Sequence, residues 1–375
     1  MKKTFRIVFM GTPQFSIPAL TALHENDYDV AMVVTAQDRP KGRGRKMAPP
    51  AVKQKALDLG YPVSQPASIK TAEFVGKVED LKPDVMVVIA FGRILPESLL
   101  ALPRLGTINI HASLLPKYRG AAPINKAIID GATETGITTM YMDIGLDTGD
   151  MLVKMTLPIG AEETAGELHD RLAVLGRETM EETLRQLCAG TLQREVQDDT
   201  RSTYAPMMKK EDGRIDWSRS ALDVHNLVRG LDPWPGAYTS LDGELLKLAR
   251  TTPQDNGDAP PGTVIAADRD GVRIACGNGS LLVRELQLAG RKRLAAADFF
   301  TGSLVGAVGQ RRVVDPVNRR MLRQVACHLF RVAAVALHAQ AQGFKALHQQ
   351  ERAVWRHGRA GVAQGGGGGR LTGRA

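Results

Sequence analysis

FRIVFM (residues 5–10) followed by FSIPALTALHE (residues 15–25) decides the fold. The first is a short, nearly unbroken apolar run; the second spaces its apolar residues as a helix does. The couple recurs: DVAMVVT (29–35) then APPAVKQKALDLG (48–60), DVMVVIA (84–90) then ESLLAL (97–102), TINIHA (107–112) then INKAIIDG (124–131). Strands with little polar alternation are buried on both faces, and the intervening helices supply the cover. The expectation is a doubly wound, Rossmann-like α/β sheet. TGITTMYMDIGLDTGDMLVKMTLPI (135–159) reads as two further strands joined by a loop at Gly145 to Gly149. A long helix from about Thr164 to Cys188 follows, stopped at Gly190.

Beyond this helix the patterning changes. QDDTRSTYAPMMKKEDG (197–213) is polar, is broken by Pro206 and reads as linker. A helix over SALDVHNLVRGL (220–231) then precedes short strands at GAYTSLD (236–242), ELLKLART (244–251), PGTVIAA (261–267), GVRIACG (271–277) and SLLVRELQLA (280–289). KRLAAADFFTG (292–302) supplies a last helical turn. Such spacing predicts a small OB-like β-barrel. The expected division is a Rossmann-like domain over 1–190, a linker over 191–208, an OB-like domain over 209–307 and a basic low-complexity tail over 308–375.

With 43% hydrophobic and 24% charged residues in 375, the composition is that of an ordinary soluble protein of about two domains. No apolar run approaches the ~20 residues that cross a bilayer. MKKTFRIVFMGTP lacks the long apolar segment of a signal peptide and is read as the first strand. Cys188, Cys276 and Cys327 are far apart and fit neither a disulfide framework nor a metal spacing, so a reducing cytoplasm is the simplest setting. The net charge of +9 is misleading as a sign of nucleic-acid binding. Residues 311–375 hold 12 basic and 2 acidic residues; the first 310 hold 37 and 38 and are nearly neutral. Any nucleic-acid contact in the body must use local patches.

The chemistry concentrates in TINIHASLLPKYRGAAPINKAI (107–128). On a strand, Asn109 and His111 share one face at the carboxyl end, where open α/β sheets bind ligands. Either residue alone would ordinarily be structural. DIGLDTGD (143–150) adds a third group: sheet order can bring Asp147 over the end of that strand. A carboxylate that orients an imidazole, with an amide beside it, can manage a proton and an oxyanion. His24, His169 and His225 lack such partners in the sequence and read as structural or solvated. Gly11-Thr12-Pro13 lacks the later glycines of a dinucleotide fingerprint, and P-loop and metal patterns are absent from the sequence. AQDRPKGRGRKMAPP (36–50) carries Arg39, Lys41, Arg43, Arg45 and Lys46 on the same carboxyl edge; isolated, it would be a solvated loop, but there it can hold phosphates.

FMGTPQFSIPAL, VVTAQDRPKGRGRKMAPPAVKQKA, DVMVVIAFGRILP, INIHASLLPKYRGAAPI, GITTMYMDIGLDTGDML, YAPMMKKEDGRIDW and GLDPWPGAYT closely resemble the methionyl-tRNA formyltransferase family, over roughly residues 4–305. SLLPKYRG and the Asn-x-His plus Asp set mark the wider class of 10-formyltetrahydrofolate-dependent transferases. The basic loop and second-domain motifs narrow it to the tRNA enzymes. The resemblance implies formyl transfer from 10-formyltetrahydrofolate to the α-amino group of initiator methionyl-tRNA; no metal is expected, and a cytoplasmic monomer is. It implies that Asn109 bonds the formyl oxygen, His111 handles the proton and Asp147 supports His111. It assigns Ser113, Leu114, Leu115 and Pro116 to folate contact and Arg43, with Arg45 and Lys46, to the tRNA acceptor end. The second domain would bind tRNA through basic residues, with Lys209, Lys210, Lys247 and Arg250 as candidates.

Sugar-nucleotide formyltransferases share the catalytic set, the loop and a small second β-domain; RPKGRGRKM (39–47) is what separates them. Glycinamide ribonucleotide transformylase would not need residues 207–305. A non-catalytic RNA-binding module fits poorly with a near-neutral body and an intact Asn109, His111 and Asp147. The tail, rich in Arg, Ala, His and Gln and ending in GGGGGRLTGRA, departs from the family. It reads as an extension adding nonspecific RNA affinity or, preferably, as out-of-frame translation of a GC-rich gene.

Overall fold

The computed structural model describes residues 3–300 apart from 42, 43, 45 and 242. The expected tail over 308–375, with Cys327, therefore lies outside the described residues. The N-terminal domain is built from β1 (Lys3–Gly11), α1 (Ile17–Glu25), β2 (Tyr28–Val34), β3 (Arg39–Lys41), β4 (Lys46–Ala48), α2 (Ala51–Asp58), β5 (Val63–Ser64), α3 (Ala72–Asp80), β6 (Val85–Ile89), α4 (Glu97–Leu100), β7 (Thr107–His111), β8 (Arg119–Gly120), α5 (Pro123–Ile129), β9 (Glu134–Tyr141), β10 (Met151–Pro158) and α6 (Ala165–Ala189). Its seven-stranded sheet runs β10-β9-β7-β6-β1-β2-β5. The five strands from β7 to β5 are parallel; β9 is antiparallel to β7 and β10 to β9.

β1 shows why the sheet is covered twice. Phe5, Ile7 and Phe9 point into one core with α1, α2, α5 and α6, whereas Val8 and Met10 point into another with α3 and α4. Each fully buried residue of this size contributes about 1.5–3 kcal/mol. The helix α6 begins with a capping box in which Thr164 Oγ1 accepts from the Glu167 N–H and Glu167 reaches back to the Thr164 N–H; Gly190, left-handed at φ +68°, ends it. The sequence reading missed α3, capped by Thr71, and the short hairpin pairing β3 with β4.

The stretch expected to be linker is strapped to the N-terminal domain. Glu195 bridges Met151, and β11 (Tyr204–Ala205) pairs in parallel with β8. The C-terminal domain follows with α7 (Ala221–Gly230), β12 (Tyr238–Leu241), β13 (Glu244–Gln254), β14 (Val264–Asp268), β15 (Gly271–Ala275), β16 (Ser280–Leu288), β17 (Leu294–Ala295) and α8 (Ala296–Phe300). Its antiparallel sheet has the order β12-β13-β16-β15-β14, with β17 on β16. The sheet curls around Leu246, Leu248, Val272, Ile274 and Val283; among the described residues no ladder joins β14 to β12, so the OB-like barrel is an open one.

Polar contacts lock the domains together. Asn125 Nδ2 donates to the Gly230 carbonyl at 2.7 Å, and Arg229 donates to the carbonyls of Gly160 at 3.1 Å and Glu163 at 3.2 Å. His225, buried as a structural histidine should be, is held by Thr251 Oγ1 and the Ala161 carbonyl, each at 3.0 Å.

Candidate active site

His111 ends β7 at the carboxyl edge of the parallel strands and is 6% exposed. Its Nε2 lies 2.9 Å from the Tyr118 carbonyl. A carbonyl only accepts, so Nε2 carries the ring proton and Nδ1 is unprotonated in the neutral imidazole. Nδ1 faces Asp147 Oδ2 at 3.7 Å, the distance of an ion pair once the ring is protonated and too long for a hydrogen bond. Asn109 sits two residues earlier on the same strand face, half-buried, with Val88 and Met140 as strand neighbours. Among the described residues its side-chain amide has no hydrogen-bond partner. The three candidate catalytic residues thus gather as the sequence implied, although β9 is antiparallel: the loop carrying Asp147 leaves the sheet level with Thr107 and folds back to His111.

Asp147 is held by both its side chain and its backbone. Oδ2 accepts the Gly120 N–H at 2.8 Å, and the carbonyl accepts from Gln197 Nε2 at 2.8 Å. Its φ of +55° is left-handed, which costs a non-glycine residue about 1–2 kcal/mol. Gly120 has φ +118°, and a Cβ there would come within 2.6 Å of the Ala205 carbonyl; a side chain would push β11 away. Sequence reasoning missed these supports. Arg119 and Tyr118 lay inside the quoted motif without a role, and Gln197 lay in the supposed linker.

The loop after β7 is pinned from below. Thr138, fully buried on β9, accepts the Leu115 N–H at 3.1 Å and donates to the Ser113 carbonyl at 2.7 Å. Ser113 Oγ, also fully buried, donates to the Lys117 carbonyl at 2.7 Å, and Leu115 packs on Met140 and Met151. Ser113 and Leu115 are interior and can offer a ligand only backbone; Leu114 and Pro116 are half-exposed.

Arg43 and Arg45 lie outside the described residues. The hairpin around them hangs from the carboxyl end of β2, with Lys46 exposed on β4. Its base is anchored by Lys53, which bonds the Asp38 carboxylate at 2.8 Å, and by Gln65, which donates to Asp38 and the Ala36 carbonyl. Lys209 and Lys210 are exposed. Lys247 and Arg250 have internal partners: Lys247 Nζ donates to the Pro235 carbonyl at 2.7 Å, and Arg250 pairs with Glu167 across the domain joint at 2.6 Å. Hydrogen bonds from Arg250 and Thr164 hold the Glu167 carboxyl down at about 2. Among the described residues no group of three or more His, Cys, Asp and Glu side chains could hold a metal ion, and no helix is long and apolar enough to cross a membrane.

Residues 5–184 match the formyl transferase family, and residues 207–304 match its C-terminal domain. The chain is 58% identical over 296 residues to the methionyl-tRNA formyltransferase of Geobacter metallireducens, covering 79% of this chain and 95% of the relative. The chain belongs to the methionyl-tRNA formyltransferase family. The enzyme of that name from Geobacter sulfurreducens is 57% identical over 298 residues, covering 79% of this chain and 93% of that one. Among solved structures, an N-formyltransferase from Helicobacter canadensis in complex with folinic acid and dTDP-3-aminofucose has a TM-score of 0.59 at 18% identity, over 78% of this chain and all of that one. That likeness is one of fold. Asn109, His111 and Asp147 fall within the residues matched to the formyl transferase family.

Proposed function

We propose that this member of the family transfers the formyl group of 10-formyltetrahydrofolate to the α-amino group of initiator methionyl-tRNA, using Asn109, His111 and Asp147. The observation that carries the reading is the His111 ring: Nε2 is committed to the Tyr118 carbonyl, and Nδ1 faces the Asp147 carboxylate. Bound 10-formyltetrahydrofolate supplies the formyl group. When the amine nitrogen bonds the formyl carbon, negative charge develops on the formyl oxygen and a proton must leave the nitrogen. The Asn109 amide donates to that oxygen. His111 Nδ1 takes the proton, Asp147 stabilises the imidazolium, and the proton passes to the departing folate nitrogen as its bond to the formyl carbon breaks.

Half-exposed Leu114 and Pro116 and exposed Ile94, Ile144 and Leu146 offer apolar surface suited to a flat folate ring. The backbone of Ser113 and Leu115 completes the folate contact. Arg43, Arg45 and Lys46 hold the acceptor end of the tRNA, supported by the hairpin's origin at the same sheet edge as His111. Lys209 and Lys210 extend the contact; Lys247 and Arg250 would join only in addition to their internal bonds. Residues 1–190 are assigned to catalysis, 191–208 to the connection and 209–307 to tRNA. The protein acts as a cytoplasmic monomer.

The discriminating experiment offers methionyl-initiator tRNA and a UDP-amino sugar separately, each with 10-formyltetrahydrofolate. Formylation of the tRNA alone is expected. Formylation of the sugar, with none of the tRNA, would replace this reading by the sugar-nucleotide one.

A further inference from the structure

Gln197 belongs to the segment that connects the two domains in sequence; it is 7% exposed and has both ends of its side-chain amide committed to the N-terminal domain. Arg119 donates to its Oε1 from Nε at 3.0 Å and Nη2 at 2.8 Å. A guanidinium only donates, so the amide's orientation is fixed. Its NH₂ group then donates to the carbonyls of Asp147 and Gly149, both at 2.8 Å. Arg119 is itself steadied by Asp199 at 2.7 Å. One amide therefore ties two segments together. The first holds both partners of the site: the Tyr118 carbonyl bonds His111, and the Gly120 N–H bonds the Asp147 carboxylate. The second is the loop on which Asp147 takes its left-handed conformation.

We propose that Gln197 is a positioning residue for the reaction: it holds the Asp147 backbone in the conformation that aims the carboxylate at His111. The proposal rests on the assignment of Asp147 to the chemistry. Glutamate has nearly the shape of glutamine but would turn a carboxylate oxygen on two carbonyls, all of them acceptors. Methionine fills the volume and makes neither bond. Small displacements of a catalytic group lower turnover steeply, while binding made elsewhere survives.

The test measures single-turnover formylation of methionyl-initiator tRNA, steady-state KM and thermal unfolding for Gln197→Glu and Gln197→Met, alone and combined with Asp147→Ala. Each single Gln197 variant should lose ~10-fold or more in rate, with KM for tRNA and folate within about twofold and cooperative unfolding retained. In the Asp147→Ala background, Gln197→Met should cost nothing further, because its route to the chemistry is already cut. A wild-type rate in Gln197→Met, or an equal further loss beside Asp147→Ala, overturns the proposal while the assignment of Asp147 stands. A wild-type rate in Asp147→Ala alone would instead sink that assignment, and the proposal with it.

Discussion

His111 Nδ1 stands 3.7 Å from Asp147 Oδ2, while the other ring nitrogen is 2.9 Å from the Tyr118 carbonyl. The neutral ring meets the carboxylate with a lone pair, and only the protonated ring satisfies both neighbours. On the proposed chemistry, the pair serves the moment when the imidazole carries the extra proton.

Binding and chemistry should separate at the basic hairpin. Arg43→Ala is expected to raise KM for methionyl-tRNA or misplace its acceptor end, with folate affinity unchanged. Steady-state kinetics with each substrate varied in turn would check this. Identical constants for wild type and variant would return the hairpin to a solvated role.

Thr138 supports the loop after β7 through two buried bonds. Thr138→Val keeps the shape but leaves the Leu115 N–H and the Ser113 carbonyl without that partner, an expected loss of about 1–3 kcal/mol. Urea unfolding measures it, and KM for 10-formyltetrahydrofolate should rise as the loop loosens. Unchanged stability would mean that the loop finds other bonds.

Glu167 links the cap of α6 to Arg250 in the other domain. Its folded-state pKa of about 2 lies below the ordinary 4.5, so its stabilising contribution is complete above about 4.5 and is lost as pH falls toward 2. Glu167→Gln should therefore lower Tm at pH 7, and the gap from wild type should narrow as pH drops through that range. Differential scanning calorimetry would follow it. A gap that does not vary with pH would show that the carboxylate charge is immaterial.

The strands of the N-terminal sheet were legible because they are buried on both faces, and α6 because it has a capping box and Gly190. Asn109, His111 and Asp147 were readable as a set because strand alternation aligned two of them. The helix α3 escaped notice because only Phe74 and Val78 of its nine residues are buried, and Gly76 interrupts its pattern. Gln197 could not be found: its bonds reach across 48 to 78 residues of sequence, and its polar neighbours resemble a loop. For Ser113 and Leu115 a motif gives adjacency, not direction: that their side chains turn inward could not be read from it. Lys247 and Arg250 were chosen on charge, which says nothing of the carbonyl and carboxylate that engage them.

Single-turnover formyl transfer at saturating 10-formyltetrahydrofolate and methionyl-initiator tRNA, compared among wild type, His111→Ala and Asp147→Ala, tests the assigned chemistry most directly. Each variant should be slower by ~10²-fold or more while both substrates still bind. Rates close to wild type in both variants would contradict it.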